Sequence, residues 1–503
     1  MHIVFRVDSS DIIGTGHLMR CLTLAEALRK KGANCIFICR NHPKNIYFLI
    51  KDKGFSLHLL ETLSDINQPL DNWLGVGQLE DAQQTVEVIK NLTAIPDWLI
   101  IDHYGIDITW EQQLKEYVKK IMVIDDLANR SHYCDVLLDQ SYTHRWNRYE
   151  GLVPDDCCVL LGPEYAILRP EFLKARQQIE KRGRPPFDPS KVFIFFGGVD
   201  QENYTGKALD ILPKIGNFAP EVVIGIQNPH RERIQQQMQN FPTGELHIQI
   251  DNMAEIMMRC SWYLGAGGSV TWERMCLGLT GIVVAIANNQ IPVSTALASD
   301  NFHILINSIQ DISKDRLHDF FVQIPELQIW NMNLVSTYGL DKICLRVFGE
   351  INLEKLTIRN VTIQDIFTLF LWANDPKVRN NSFNANPISL VEHRQWFLQR
   401  LKGSSTKFYI LEYGHLPVGQ IRFDLDQSIW FIDYSISSFL RGYGVGQVLL
   451  QKGEEALQKA TRNSIKIQAK VKKTNLASLT CLKRNGYVEI ERDSTLDYIV
   501  LQK

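Results

Sequence analysis

No CxxC pair occurs among the ten cysteines of this 503-residue chain. Cys21, Cys35, Cys39, Cys134, Cys157, Cys158, Cys260, Cys276, Cys344 and Cys481 are scattered, a spacing that argues against a zinc site. Reduced thiols in a cytoplasmic protein are the expectation. Long apolar runs are also missing: none reaches the roughly 20 residues a membrane helix needs. The N-terminus opens on a strand pattern, with no secretory signal to read. A surplus of one charge is absent, with a net charge of −2, so nothing draws the whole chain to nucleic acid or to a membrane. No long-period repeat and no low-complexity tract appears. No acidic cluster suited to Mg²⁺ stands out, and no metal is expected.

The chain is longer than one compact core usually holds. Its first part alternates apolar strands with helical patterns. Strand candidates are Ile3–Val7, Cys35–Cys39, Trp98–Ile101, Ile121–Ile124 and Val136–Leu138, the pattern of a parallel sheet covered on both faces. A break falls in Gln177–Ser190, where Lys181-Arg182-Gly183-Arg184-Pro185-Pro186 resists continuing a helix. A second α/β series runs through Val192–Phe196, Val222–Ile226, Leu246–Ile250, Trp262–Leu264 and Ile282–Ala285 and closes near Val347. A third series differs in kind. Leu356–Arg359 precedes helices, then a meander at Phe408–Tyr413, Pro417–Asp424 and Ile429–Ser435, then a glycine turn and a helix. The expectation is three domains: an α/β lobe at 1–176, a nucleotide-binding α/β lobe at 190–348, and an α+β domain at 354–503.

Each series carries a glycine turn at a helix start, where free backbone N–H groups and the helix dipole suit an anion. In the first, Gly14-Thr15-Gly16-His17 follows the strand, and apolar Leu18, Cys21, Leu22, Ala25 and Leu28 fall on one helical face. A histidine there can move protons near neutral pH. In the second, Gly265-Ala266-Gly267-Gly268-Ser269 precedes Trp272-Glu273-Arg274. Small residues let a pyrophosphate approach the backbone, Glu273 can accept from a ribose diol, and the amides of Asn289 and Gln290 can read a sugar or position a leaving phosphate. Two such lobes face to face make a cleft. In the third, Arg441-Gly442-Tyr443-Gly444-Val445-Gly446 makes another pyrophosphate cradle. Asp125 and Asp126 end a strand, where either a ligand contact or a structural turn fits. His103, His132, His144 and His230 lack comparable context and read as surface or satisfied residues.

Together, Arg6–Arg20 (RVDSSDIIGTGHLMR), Cys21–Ala25, Asp125-Asp126-Leu127, Leu161–Ala166, the GAGGS loop and Asn289-Gln290 resemble one family over about the first 345 residues. It is the UDP-2,4-diacetamido-2,4,6-trideoxy-β-L-altropyranose hydrolases of pseudaminic acid synthesis. The resemblance implies a two-domain glycosyltransferase-B-like fold and hydrolytic release of UDP with inversion at the anomeric carbon. It implies that His17 is the general base on water, that Gly14 and Gly16 shape its turn, that Gly267, Gly268 and Ser269 hold the diphosphate, and that Glu273 holds the ribose. Asp8 is expected to orient His17 or to contact the sugar.

Downstream of the third turn lie Asn475, Ser478 and Arg484-Asn485-Gly486-Tyr487. The order of features over about 354–503 resembles the GNAT N-acetyltransferase family. The resemblance implies acetyl-CoA as co-substrate, its pyrophosphate on Arg441, Gly442, Gly444 and Gly446, and Asn475 on the pantetheine arm or thioester. Many members carry a tyrosine seven residues after that asparagine as acid toward the thiolate; here the position is Leu482. Asp433 and Tyr434 are candidates for base or acceptor contacts, and Lys470, Lys472 and Lys473 for the CoA 3′-phosphate. The pseudaminic acid route places an N-acetylation of a UDP-linked amino sugar just before the hydrolysis, so a bifunctional chain is expected. A glycosyltransferase, or a non-catalytic UDP-sugar sensor fused to a protein acetyltransferase, are the other readings, and the acyl donor itself stays open.

Overall fold

The computed structural model describes residues 1–10, 12–61, 73–461, 465–491 and 497–503. The chain divides into two compact units, Met1–Thr143 with Arg148–Leu340, and Asp341–Lys503 with His144–Asn147. The helix Gly339–Phe348 therefore falls almost wholly in the second unit.

Two parallel sheets build the first unit. One comprises β1 (His2–Val7), β2 (Asn34–Arg40), β3 (Ser56–Leu60), β4 (Trp98–Asp102), β5 (Ile121–Ile124), β6 (Val136–Asp139) and β7 (Cys158–Leu161), in the order β3-β2-β1-β4-β5-β6-β7. The other comprises β8 (Lys191–Phe195), β9 (Ala219–Ile224), β10 (Glu245–Ile248), β11 (Trp262–Ala266), β12 (Gly281–Val284) and β13 (Ile304–Ile306), in the order β10-β9-β8-β11-β12-β13. All pairings in both are parallel. Strands covered on both faces are apolar almost throughout: Ile3, Val4, Phe5 and Val7 of β1 are all fully buried.

Strand order reverses between β1 and β4 in the first sheet and between β8 and β11 in the second. Crossovers there leave in opposite directions and open a crevice at the carboxyl ends of the strands. Residues 8–17 leave β1, and Gly267–Ser269 leaves β11, so both glycine turns sit at these switch points. The long helix Pro170–Arg182 stops at Gly183, whose φ of 74° is left-handed, as the Gly-Arg-Pro-Pro break requires.

One glycine is forced by close approach. A Cβ on Gly265 in β11 would lie 2.0 Å from Phe195 O and 2.4 Å from the Tyr263 hydroxyl. That hydroxyl lies 2.8 Å from both Phe195 O and Ala266 O and ties the strand ends that carry the loop. Gly265→Ala is expected to destabilise the chain by about 1–3 kcal/mol through overpacking against backbone, read as a lower urea midpoint.

The second unit is α+β. Its sheet comprises β14 (Leu356–Asn360), β15 (Thr406–Tyr413), β16 (Leu416–Asp426), β17 (Ile429–Ile436), β18 (Lys466–Lys472), β19 (Val488–Glu491) and β20 (Tyr498–Gln502), ordered β14-β15-β16-β17-β18-β20-β19. The meander β14–β17 is antiparallel. β17 and β18 are parallel and pair only from Ile429↔Lys466 to Phe431↔Gln468. Beyond Phe431 the two strands part, so residues 432–435 have no ladder partner in β18, and Ile436 O accepts from Arg441 Nε. Among the described residues, no helix is long and apolar enough to cross a membrane.

Candidate functional sites

His17 is the second residue of the helix Gly16–Lys30. The turn before it closes through Gly14 N to Ser10 O at 2.9 Å, with Gly14 at φ 79°. Ser10 Oγ accepts from the amides of Ile12 and Ile13 at 3.2 and 3.0 Å. The nearly buried imidazole places Nδ1 2.6 Å from Asp102 Oδ1. Asp102 ends β4 and is fully buried. Arg20, one helical turn beyond His17, donates to both its oxygens, Nε to Oδ2 at 2.5 Å and Nη2 to Oδ1 at 2.6 Å. Burial pushes Asp102 toward protonation, but the charge of Arg20, with His17 beside it, outweighs this and holds the carboxyl well below the usual range. An ionised Asp102 can only accept, so His17 donates from Nδ1 and Nε2 becomes the imidazole's acceptor.

The arrangement extends outward. Arg20 Nη1 donates to Asp126 Oδ2 at 3.1 Å, and the Tyr104 hydroxyl donates to Asp126 Oδ1 at 2.5 Å. Burial first, then the Asp126 charge, pushes the Tyr104 phenol up, so it stays protonated. Its ring meets the His17 ring edge-on, centroids 4.6 Å apart. Asn289 Nδ2 donates to the Tyr104 hydroxyl at 3.2 Å, which joins the second lobe to this series.

A cleft of about 330 Å³ lies here. Gly14, Gly16, His17, Arg20, Tyr104 and Asp126 line it from the first lobe; Gly197, Gly198, Gly267, Gly268, Ser269, Asn289 and Gln290 line it from the second. The two glycine turns meet: a Cβ on Gly16 would stand 3.7 Å from Ser269 Oγ. A Cβ on Gly267 would strike Ser294 Oγ at 2.3 Å, so that backbone is open only because the residue is glycine. Gln290 Oε1 accepts from Ile286 N at 3.1 Å and braces its own loop.

Two of the sequence candidates, Asp8 and Glu273, have partners other than His17. Asp8 does not orient His17; Asp102 does. Asp8 is fully buried, accepting from Arg6 Nη1 at 2.6 Å and from Arg40 N at 2.7 Å, with His103 Nε2 3.3 Å from its other oxygen. Burial works against its charge, but Arg6 outweighs burial and holds Asp8 far below the usual range. Glu273 is not among the cleft-lining residues; it pairs with Arg169 Nε at 2.7 Å. Asp125 and Asp126 divide their two readings. Asp125 braces its turn, accepting from Ala128 N at 2.9 Å and the Tyr149 hydroxyl at 2.9 Å, while Asp126 faces the cleft. His132 is bound to Glu111 at 2.6 Å, and His230 lies 2.8 Å from Gln201 O. Asp102, Arg20 and Tyr104 were missed; the available signal was an apolar strand ending in Asp-His-Tyr at a parallel sheet's carboxyl edge. Glu221, Glu245 and His247 cluster on β9 and β10, but Arg259 lies 3.3 Å from Glu221 and none of the three lines either cavity.

The second unit holds a larger cavity of about 1130 Å³. Gly442 and Gly444 adopt φ of 89° and 77°, which turns successive amides toward the start of the helix Val445–Thr461. A Cβ on Gly446 would sit 3.2 Å from Cys481 Sγ. The Arg441 guanidinium is engaged by Asp375 at 2.9 Å and Ile436 O at 3.1 Å, so it braces the turn. Asn475 caps the helix Leu476–Arg484, Oδ1 accepting from Ser478 N at 3.2 Å. Lys470 Nζ lies over the Phe431 ring, and Lys472 Nζ donates to Asn380 O. Asp433 Oδ1 accepts from Gln420 Nε2 at 2.9 Å on one face of β17, and the Tyr434 hydroxyl lies 2.9 Å from Ser478 Oγ on the other. The parted strands and the open glycine turn fit an extended donor carrying a pyrophosphate.

Residues 355–488 match the family model described as "Acetyltransferase (GNAT) domain". The UDP-2,4-diacetamido-2,4,6-trideoxy-beta-L-altropyranose hydrolase of Campylobacter jejuni is 28% identical over 306 residues, 60% of this chain and 98% of that protein. The uncharacterized protein MJ1062 of Methanocaldococcus jannaschii is 26% identical over 415 residues, 80% of this chain and 78% of that one. Among solved structures, the Campylobacter jejuni N-acetyltransferase PseH is 18% identical, covering 29% of this chain and 96% of that chain, with a TM-score of 0.24. The chain thus joins a distant homologue of the UDP-sugar hydrolase, two parallel α/β lobes, to a C-terminal GNAT acetyltransferase domain.

Proposed function

We propose that the chain acts twice on one UDP-linked amino sugar. The GNAT domain transfers acetyl from acetyl-CoA to the 4-amino group, and the first unit hydrolyses the product, UDP-2,4-diacetamido-2,4,6-trideoxy-β-L-altropyranose, to free sugar and UDP. One observation carries the second step. An imidazole whose Nδ1 lies 2.6 Å from the buried Asp102 carboxylate lines the same cleft as an opposed glycine loop. Water between His17 Nε2 and the anomeric carbon loses its proton to Nε2 as its oxygen bonds to C1. The C1–O bond breaks on the far face, its electron pair leaves with UDP, and the configuration inverts. The amides at Gly267–Ser269 receive the departing charge. Arg20 and Asp126 hold the imidazole's support rigid, which keeps the reacting geometry near its productive form. In the second unit Gly442, Gly444 and Gly446 seat the donor's pyrophosphate, the free edge of β17 takes its arm, and the amine attacks the thioester carbonyl.

The full chain incubated with the diacetamido UDP-sugar and no acceptor is expected to yield free sugar and UDP. UDP release that requires an added sugar or lipid acceptor would make it a glycosyltransferase instead. With acetyl-CoA and the 4-amino precursor, mass spectrometry is expected to show one added acetyl group before UDP appears. A precursor left unacetylated overturns the first step.

A further inference from the structure

We infer that the Tyr434 hydroxyl is the acid that protonates the leaving sulfur of the acyl donor in the second unit. This rests on the acetyl-CoA reading of that cavity. Pairing of β17 with β18 stops at Phe431, and Tyr434 lies three residues further along, inside the wedge where the strands have parted. An arm bearing amides can pair with the edge of residues 432–435, in the manner of an added strand. Held also at Gly442–Gly446, it runs past the Tyr434 phenol.

Alternation along β17 separates two roles. Asp433 projects to the face of Gln420 and Arg422, while Tyr434 projects to the helix Leu476–Arg484. That helix offers no phenol of its own: Ser478 and Leu482 share one face at i and i+4, and Leu482 is apolar and fully buried. Tyr434 is the single tyrosine among the described residues lining the cavity. His393, the imidazole there, lies with Nε2 2.9 Å from Ile366 O, and burial pushes it down to about 4, so it holds no spare proton at neutral pH. Burial pushes the Tyr434 phenol above its usual range, so it stays protonated wherever the enzyme works.

The step balances. The neutral amine nitrogen bonds to the thioester carbonyl carbon, and the C=O π pair moves to oxygen. As that pair returns, the C–S bond breaks and sulfur takes the Tyr434 proton. The new ammonium nitrogen releases one proton through water, and Ser478 Oγ, 2.9 Å away, passes a proton back to the phenolate. The products are an amide and a free thiol.

The test uses the full chain and whichever amine from a panel it acetylates, the 4-amino UDP-sugar among them. A chain active on another amine but inert to that sugar fails the substrate reading alone. Tyr434→Phe is expected to lower kcat about 10²-fold, while the Kd for CoA, by calorimetry, stays within about threefold of the parent, as expected when only a transition-state contact is lost. Replacement of Tyr434 by a fluorinated tyrosine of lower phenol pKa is expected to bring the alkaline limb of the rate to lower pH. A kcat for Tyr434→Phe within about threefold of the parent overturns the assignment. So does a pH profile unmoved by the fluorinated residue, which would leave Tyr434 a packing role.

Discussion

His17→Ala is expected to lower kcat for UDP release by about 10²–10⁴-fold, the span that a positioned general base contributes. The affinity for UDP is expected to stay within about threefold, because the diphosphate is assigned to the loop of the opposite lobe. Folding is expected to hold as well. Removing the imidazole does not strand Asp102, since Arg20 still donates to both of its oxygens. Acetyl transfer, assigned to the other unit, is expected to be unchanged and serves as the internal control. Stopped assays for UDP and for free CoA on the same preparation separate the two. A loss below tenfold, or a matching loss of UDP affinity, would remove His17 from the chemistry and make it a binding residue.

How much of this was legible beforehand depended on distance along the chain. Apolar runs bounded by turns located β1, β2, β4, β5 and β6 within a residue or two, because buried parallel strands are apolar on both faces. The two edge strands of the first sheet, β3 and β7, escaped. In β3 only Leu60 is buried, so Ser56–Leu60 has neither a continuous apolar run nor clean alternation. The glycine turns were legible because backbone exposure at a helix start leaves a local mark. The partner of His17 left none. Asp102 is 85 positions away, and it arrives beside the first turn because β4, not β2's successor in sequence, lies next to β1. Proximity of charge in sequence favoured Asp8, yet Asp8 emerges from β1 toward Arg6 and Arg40. Glu273 likewise has a partner that its spacing did not announce: Arg169, 104 positions away, pairs with its carboxylate. Switch points set which loops meet, and strand order is a property of the assembled sheet.

Asp102→Asn tests the other half of the imidazole's design and carries the largest expected effect on stability. A carboxamide keeps the size of the side chain but offers one acceptor where four donors converge, His17 Nδ1, Arg20 Nε, Arg20 Nη2 and Cys21 Sγ. Its NH₂ must face one of them. The buried Arg20 charge then loses its main counter-ion and keeps only the more distant Asp126. Breaking one side of a buried pair costs about 3–5 kcal/mol. The fixed tautomer is lost too, so UDP release is expected to fall about 10²-fold or more. The pH dependence has a definite sign. Asp102 is held below its ordinary value in the folded chain, so its stabilisation is complete above the unfolded pKa of about 3.9 and fades as pH falls through the folded value. Urea unfolding is therefore expected to show a constant gap between parent and Asp102→Asn from pH 7 down to about pH 4, narrowing in stronger acid. A gap under about 1 kcal/mol at pH 7, where a loose surface pair would leave it, contradicts the buried clamp. A gap that fails to narrow below about pH 4 contradicts the ionised carboxylate on which His17's accepting nitrogen depends.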